Sequence, residues 1–116
     1  MELQSRLNGL PGVDSAIAGS VGDDDLPFGE PTVYASVDMT PDATADQVAG
    51  VLDVLAGVTL ETAEIRMAGP KHASLVVSGG MLGDSERLAE ELVAAYLDPE
   101  VCSYTRDPQD TDVRYC

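Results

Sequence analysis

An α+β fold, with helices packed against one face of a sheet, is the class this sequence predicts, and three stretches predict it. Between Pro31 and Val58 a strand pattern passes directly into a helix pattern. From Val33 the apolar residues alternate as Val33, Ala35, Val37 and Met39, with Thr32, Tyr34, Ser36 and Asp38 between them, the period of a half-buried strand. From Val48 they fall at Val48, Val51, Leu52 and Leu55, the stripe of an amphipathic helix. Residues 62–78 alternate again, with Ala63, Ile65 and Met67 before the turn Ala68-Gly69-Pro70-Lys71 and Ala73, Leu75 and Val77 after it, a β-hairpin. Leu88, Ala89, Leu92, Val93 and Tyr96 then mark a second strong helix. Strands with one apolar face and helices with one apolar stripe keep both from water by stacking.

The remaining elements follow in order. Glu2 to Leu7 suits a two-turn helix with Leu3 and Leu7 on one side and Asn8-Gly9 as its stop. Leu10-Pro11-Gly12-Val13 turns into the run Val13 to Val21, rich in Ala, Gly and Ser, an irregular strand. Residues 22–31 form a polar loop. Thr44 with Gln47 reads as a capping box for the first strong helix, and Gly57 stands where helices commonly end in a left-handed residue. Asp84 or Ser85 is the expected cap of the second, and Asp98-Pro99 its end. Glu100 to Thr105 and Asp112 to Cys116 are short strands around a turn at residues 106–110.

From Thr32 the order is strand, helix, strand, strand, helix, strand. This resembles the ferredoxin-like, split βαβ superfold. The resemblance implies a two-layer sandwich with an antiparallel sheet and helices on one face, in a single domain, 1–116. Its core would be 31–105, extended by a helix and strand within 1–30 and a strand within 106–116. The opening helix-LPGV-strand is similar to that of heavy-metal-associated domains. Those carry Met-x-Cys-x-x-Cys after their first strand, where this chain has Met39-Thr40-Pro41-Asp42-Ala43, so copper or zinc carriage does not transfer. A superfold names no function. The same elements also read as a helix and two strands taken three times, with LPGV, LAGV and LDPEV after the three helices and a spacing of about 45 residues.

Composition narrows the partners. The 116 residues carry 21 Asp and Glu against 6 Lys and Arg, a formal charge of −15 spread along the chain. Free nucleic acid and anionic membranes are repelled by such a field. What remains is a solvated surface suited to a salty host, a lure for a basic protein, or mimicry of nucleic-acid charge. No stretch approaches a membrane span of about 20 apolar residues, and the start lacks the basic and apolar regions of a secretion signal. The expectation is a soluble, cytoplasmic protein, with a leader cleaved before residue 1 left open.

Each candidate chemistry has a plain structural alternative. Asp23, Asp24, Asp25 and Glu30 supply hard oxygens but lack the spacing of a calcium loop, so no metal is expected there. Ser78 to Gly83 is a glycine-rich connection with an incomplete phosphate fingerprint. His72 is the one histidine, at a hairpin turn away from any nucleophile. Glu90 with Glu91, and Glu61 with Glu64, are carboxylate pairs of the kind that chance supplies in so acidic a chain. No cofactor and no catalytic activity are therefore expected. If the last two strands pair around residue 109, Tyr104 faces Arg114 and Cys102 faces Cys116, close enough for a disulfide; in a cytosol the two would instead stay reduced.

The surface singled out is the sheet face away from the helices, with Tyr34, Ser36, Glu64, Arg66, Ser74 and Val76, joined by Tyr104 and Arg114. Tyr and Arg are enriched at protein interfaces. The reading is a non-enzymatic interaction domain whose open sheet face or edge binds another copy, as a homodimer, or a basic protein partner, with Tyr34, Arg66, Val76, Tyr104 and Arg114 as the interaction residues. The alternative is a small-molecule-sensing domain with its ligand near residues 78–84 or at a dimer interface.

Overall fold

The computed structural model describes residues 2–21, 32–69, 71–109 and 111–116. The acidic loop of Asp23, Asp24, Asp25 and Glu30 lies outside them. The chain runs α1 (Glu2–Asn8), β1 (Val13–Val21), β2 (Thr32–Met39), α2 (Ala45–Ala56), β3 (Leu60–Ala68), β4 (His72–Val77), a 3₁₀ turn (Gly79–Asp84), α3 (Ser85–Leu97), β5 (Ser103–Arg106) and β6 (Asp112–Tyr115). The strands form one sheet in sequential order, β1 to β6.

Every element forms where its pattern stands. The alternation in β2 puts Val37 and Met39 on the buried side, level with Ile65 and Met67 of β3. The stripe Val48, Val51, Leu52 and Leu55 is fully buried. Thr44 and Gln47 close the capping box, Gln47 N–H donating to the Thr44 hydroxyl at 3.2 Å and Thr44 N–H to Gln47 Oε1 at 3.0 Å. The run Val13 to Val21, expected to be irregular, is a nine-residue strand with one register shift between Val13 and Ser15.

Two local expectations are corrected. Gly57 ends α2 at φ −83°, in the right-handed region, with its N–H bonded back to Val54 and Leu55. Among the described residues the left-handed glycine is Gly12, at φ +84°, where a Cβ would come within 2.6 Å of Gln47 Oε1. Gly12 thus lets the α1–β1 turn sit against the start of α2, and its carbonyl accepts from Thr40 N–H at 2.8 Å. Neither Asp84 nor Ser85 caps α3. The 3₁₀ turn runs straight into the helix, so Asp84 is not extended as a cap residue must be, and Ser85 instead donates to Asp53 of α2 at 2.8 Å.

The expected strand pairing is corrected too. The sheet is mixed: β1–β2, β3–β4 and β5–β6 are antiparallel, while β2–β3 and β4–β5 are parallel and directly bonded. In a split βαβ sheet another strand separates each parallel pair, and β2 has β4 and β5 on its two sides. A strand has only two edges. Here one edge of β2 is taken by its hairpin partner β1, and the crossover through α2 brings β3 to the other.

The result is three helix-hairpin units side by side. Each helix leads into a turn closed onto a valine three residues later: Val13 N–H donates to Leu10, Val58 to Leu55 and Val101 to Asp98. Leu3 and Leu7 of α1 join the same buried cluster as α2, α3 and the inner face of the sheet, and α2 packs against α3.

Candidate interaction surface

One row of each of the first five strands is buried in the same cluster as the helix stripes, and register assigns the residues of the other row. Ile17 stands opposite Ser36, Ser36 opposite Glu64, and Glu64 opposite Val76. One row further, Asp38 stands opposite Arg66, Arg66 opposite Ser74, Ser74 opposite Thr105 and Thr105 opposite Val113. Tyr34 lies opposite Gly19, and Tyr115 opposite Ser103, on this same face.

Its composition is uneven. Among the described residues five large apolar side chains are exposed, and four of them, Ile17, Tyr34, Val113 and Tyr115, are on this face; Leu97 is the fifth. Ile17 and Tyr34 sit on the β1–β2 side and Val113 and Tyr115 on the β5–β6 side. The Tyr34 ring covers Gly19, where a Cβ would meet its hydroxyl at 2.6 Å, so the tyrosine fills the space that a side chain there would take. Between the two apolar ends lies a polar centre. Arg66 Nε donates to Asp38 Oδ1 at 2.8 Å, its Nη2 reaches Ser36 Oγ and Asp38 Oδ2 at 3.3 Å, and Glu64 stands 3.8 Å away.

Of the five residues singled out from sequence, this face brings together Tyr34, Arg66 and Val76. Tyr104 and Arg114 are corrected to the helix side. Tyr104 is level with Ala73, alternates with Ser103 and Thr105, and is only 1% exposed. Arg114 stands opposite it, its guanidinium carbon 5.1 Å from the ring centroid. The pairing Tyr104 with Arg114 is thus as expected; the side is reversed, because β5 continues the buried row of β4. Missed from the sequence were Ile17, Val113 and Tyr115. Ile17 lies in a run of small residues with weak alternation; Val113 and Tyr115 do alternate with Asp112 and Arg114, but that period names their face only once β6 is placed beside β5.

Cys102 and Cys116 are bonded, with Cα atoms 4.6 Å apart. Cys102 N–H also donates to Tyr115 at 3.0 Å. The bond closes the β5–β6 hairpin at its open end.

Burial pushes the Tyr104 phenol pKa up, and the carboxylates of Asp112 and Glu91 add to it. The hydrogen bond to Asp112 holds the Arg114 charge more firmly still. Among the described residues the buried Tyr104 hydroxyl has no hydrogen-bond partner. A buried hydroxyl left unsatisfied costs about 1–3 kcal/mol, so Tyr104→Phe is expected to raise stability by about 1 kcal/mol in urea unfolding. The native state keeps this proton where the unfolded chain, titrating near pH 10, releases it. Wild-type stability therefore falls as pH rises through that range, and the phenylalanine variant loses that part of the slope. A variant less stable than the wild type would contradict this account.

The surface charge is one-sided. Arg87 is bound by Asp84 at 3.2 Å and Glu91 at 3.4 Å, Arg106 by Glu91, and Arg114 by Asp112 at 3.2 Å. With Arg66 held by Asp38, the protein's own carboxylates neutralise these arginines, and the excess of acid is left facing solvent. Asp14, Asp38, Met39, Pro41, Arg66 and His72 line an open depression of about 530 Å³ at one end of the sheet face. Among the described residues no three His, Cys, Asp or Glu side chains converge as a metal site requires. The 79–84 stretch is a 3₁₀ turn anchored by buried Leu82, and the hollow beside it is lined by residues 83–87 at the start of α3.

Comparison with family models, with curated proteins and with solved structures finds no match for this chain. Among the described residues no helix is long and apolar enough to cross a membrane.

Proposed function

We propose that this is a protein-interaction domain that binds a basic partner through the sheet face away from its helices. The observation that carries the reading is the gathering of Ile17, Tyr34, Val113 and Tyr115 on that face, four of the five exposed large apolar side chains described. Two of the four are tyrosines, a residue type enriched at protein interfaces. The net charge of −15, with Arg66, Arg87, Arg106 and Arg114 already paired internally, selects a partner of opposite sign and speeds its encounter. The exposed Cys102–Cys116 bond weighs against the cytoplasmic expectation, since disulfides persist in oxidising compartments.

The test is titration calorimetry with two probes, a small folded basic protein and poly-lysine, at low and at molar salt. Poly-lysine reads the field alone. The folded probe is expected to bind at low salt and to weaken as salt screens the charges. Tyr34→Ala with Tyr115→Ala is expected to abolish binding of the folded probe while leaving poly-lysine binding unchanged. Equal binding of the folded probe by wild type and variant would sink the assignment to this face.

A further inference from the structure

The two outer edges of the sheet are closed in different ways. β6 is four residues long. Its Asp112 and Arg114 pair with each other, and the Cys102–Cys116 bond ties it to β5. Short length and charge are the usual devices that stop an edge strand from accepting another chain.

β1 is long, and its one charged residue, Asp14, stands at its start. It runs nine residues, and from Ser15 to Val21 it contains no charged residue, in a chain of net charge −15. What occupies its outer edge is α1. Asn8 Oδ1 accepts from Ala16 N–H at 3.0 Å, and Asn8 Nδ2 donates to Ala16 C=O at 3.0 Å. These are the two bonds that a strand residue facing Ala16 would make. One turn earlier in α1, Gln4 Oε1 accepts from Ala18 N–H at 3.1 Å. Ala16 and Ala18 are two residues apart, so both present their amides to the same edge. Two side chains of a helix stand in for a seventh strand.

We propose that the outer edge of β1 is a strand-addition site held shut by α1, and that its occupant is the same edge of a second copy. The cover is light. A seven-residue helix does not hold itself together in water, and α1 stays in place through Leu3, Leu7 and these carboxamide bonds. The choice of a second copy follows from charge. Residues 15–21 are an uncharged strand edge along which two strongly acidic chains approach without like charges meeting, and a basic partner finds no carboxylate there. Antiparallel β1–β1 pairing about a twofold axis makes the contact isologous and brings Ile17 of both copies onto one continuous face. The proposal does not rest on the open-face reading; failure of the basic probes leaves it standing.

The test is analytical ultracentrifugation of the Gln4→Ala/Asn8→Ala variant over a concentration series, beside wild type. Leu3 and Leu7 are kept, so α1 retains its apolar anchor. The variant is expected to dimerise with a dissociation constant at least about tenfold below that of wild type. Adding Ala18→Pro removes the outward N–H that Gln4 accepts and leaves the ladder to β2 intact, and it is expected to restore the monomer. In the dimer the Ala16 and Ala18 amides gain protection from hydrogen exchange. A folded variant that stays monomeric throughout overturns the proposal, as does a dimer that Ala18→Pro leaves intact. If the double variant does not fold, Gln4→Ala alone is read in the same way.

Discussion

Replacement of Ile65 by alanine lowers the unfolding free energy by about 2–5 kcal/mol, against about 1 kcal/mol for Ile65→Val. Ile65 is fully buried at the middle of the sheet, in register with Val37 on one side and Leu75 on the other, both also fully buried. The side chains of three neighbouring strands meet the helix layer in this row. No neighbour can move in to fill the space, because the strands on both sides are fixed by their ladders. Urea unfolding followed by circular dichroism reads the difference, and the midpoint moves while the slope stays the same. Equal losses for alanine and valine would show that the row is not the closely packed centre that its burial indicates.

The second large effect concerns the C-terminal hairpin. Cys102→Ser with Cys116→Ser removes a bond that closes a loop of sequence separation 14, a constraint on the unfolded chain of about 3 kcal/mol in the loop-entropy account. Every residue of β6 is exposed, so little buried surface holds this strand once the bond is gone. The expected result is a lower midpoint together with early hydrogen exchange at residues 112–115, while β2 and β3 amides stay protected. An unchanged midpoint with β6 still protected would show that the backbone ladder and the Arg114–Tyr104 contact suffice to hold the strand.

The elements were legible because each signal is local. The alternation from Val33 to Met39, the stripe from Val48 to Leu55 and the Thr44–Gln47 box all depend on residues within a turn or two of one another, and each forms as read. The order of the strands was not legible. A strand-helix-strand run is the same string of residues whether the second strand docks beside the first or one place further away, and the outcome is decided by β1 occupying an edge of β2. The site was half legible for a related reason. Tyr34, Arg66 and Val76 follow from clear alternation in β2, β3 and β4. Tyr104 shares its alternation with the partly buried Thr105, and only the pairing of β5 beside β4 shows that Tyr104 is the inward residue.

The sequential order of the strands also governs how the chain comes together. Each hairpin pairs within itself and then only with the one before it, so no strand waits for a segment made much later in synthesis. Structure can grow from the first unit to the third as a zipper closes. The slow steps are the two parallel junctions, where a whole helix must form before its strand finds a place. Until each junction closes, β2 and then β4 is briefly the growing margin of the sheet, and the protein's mutual repulsion at −15 keeps half-made chains apart during that interval.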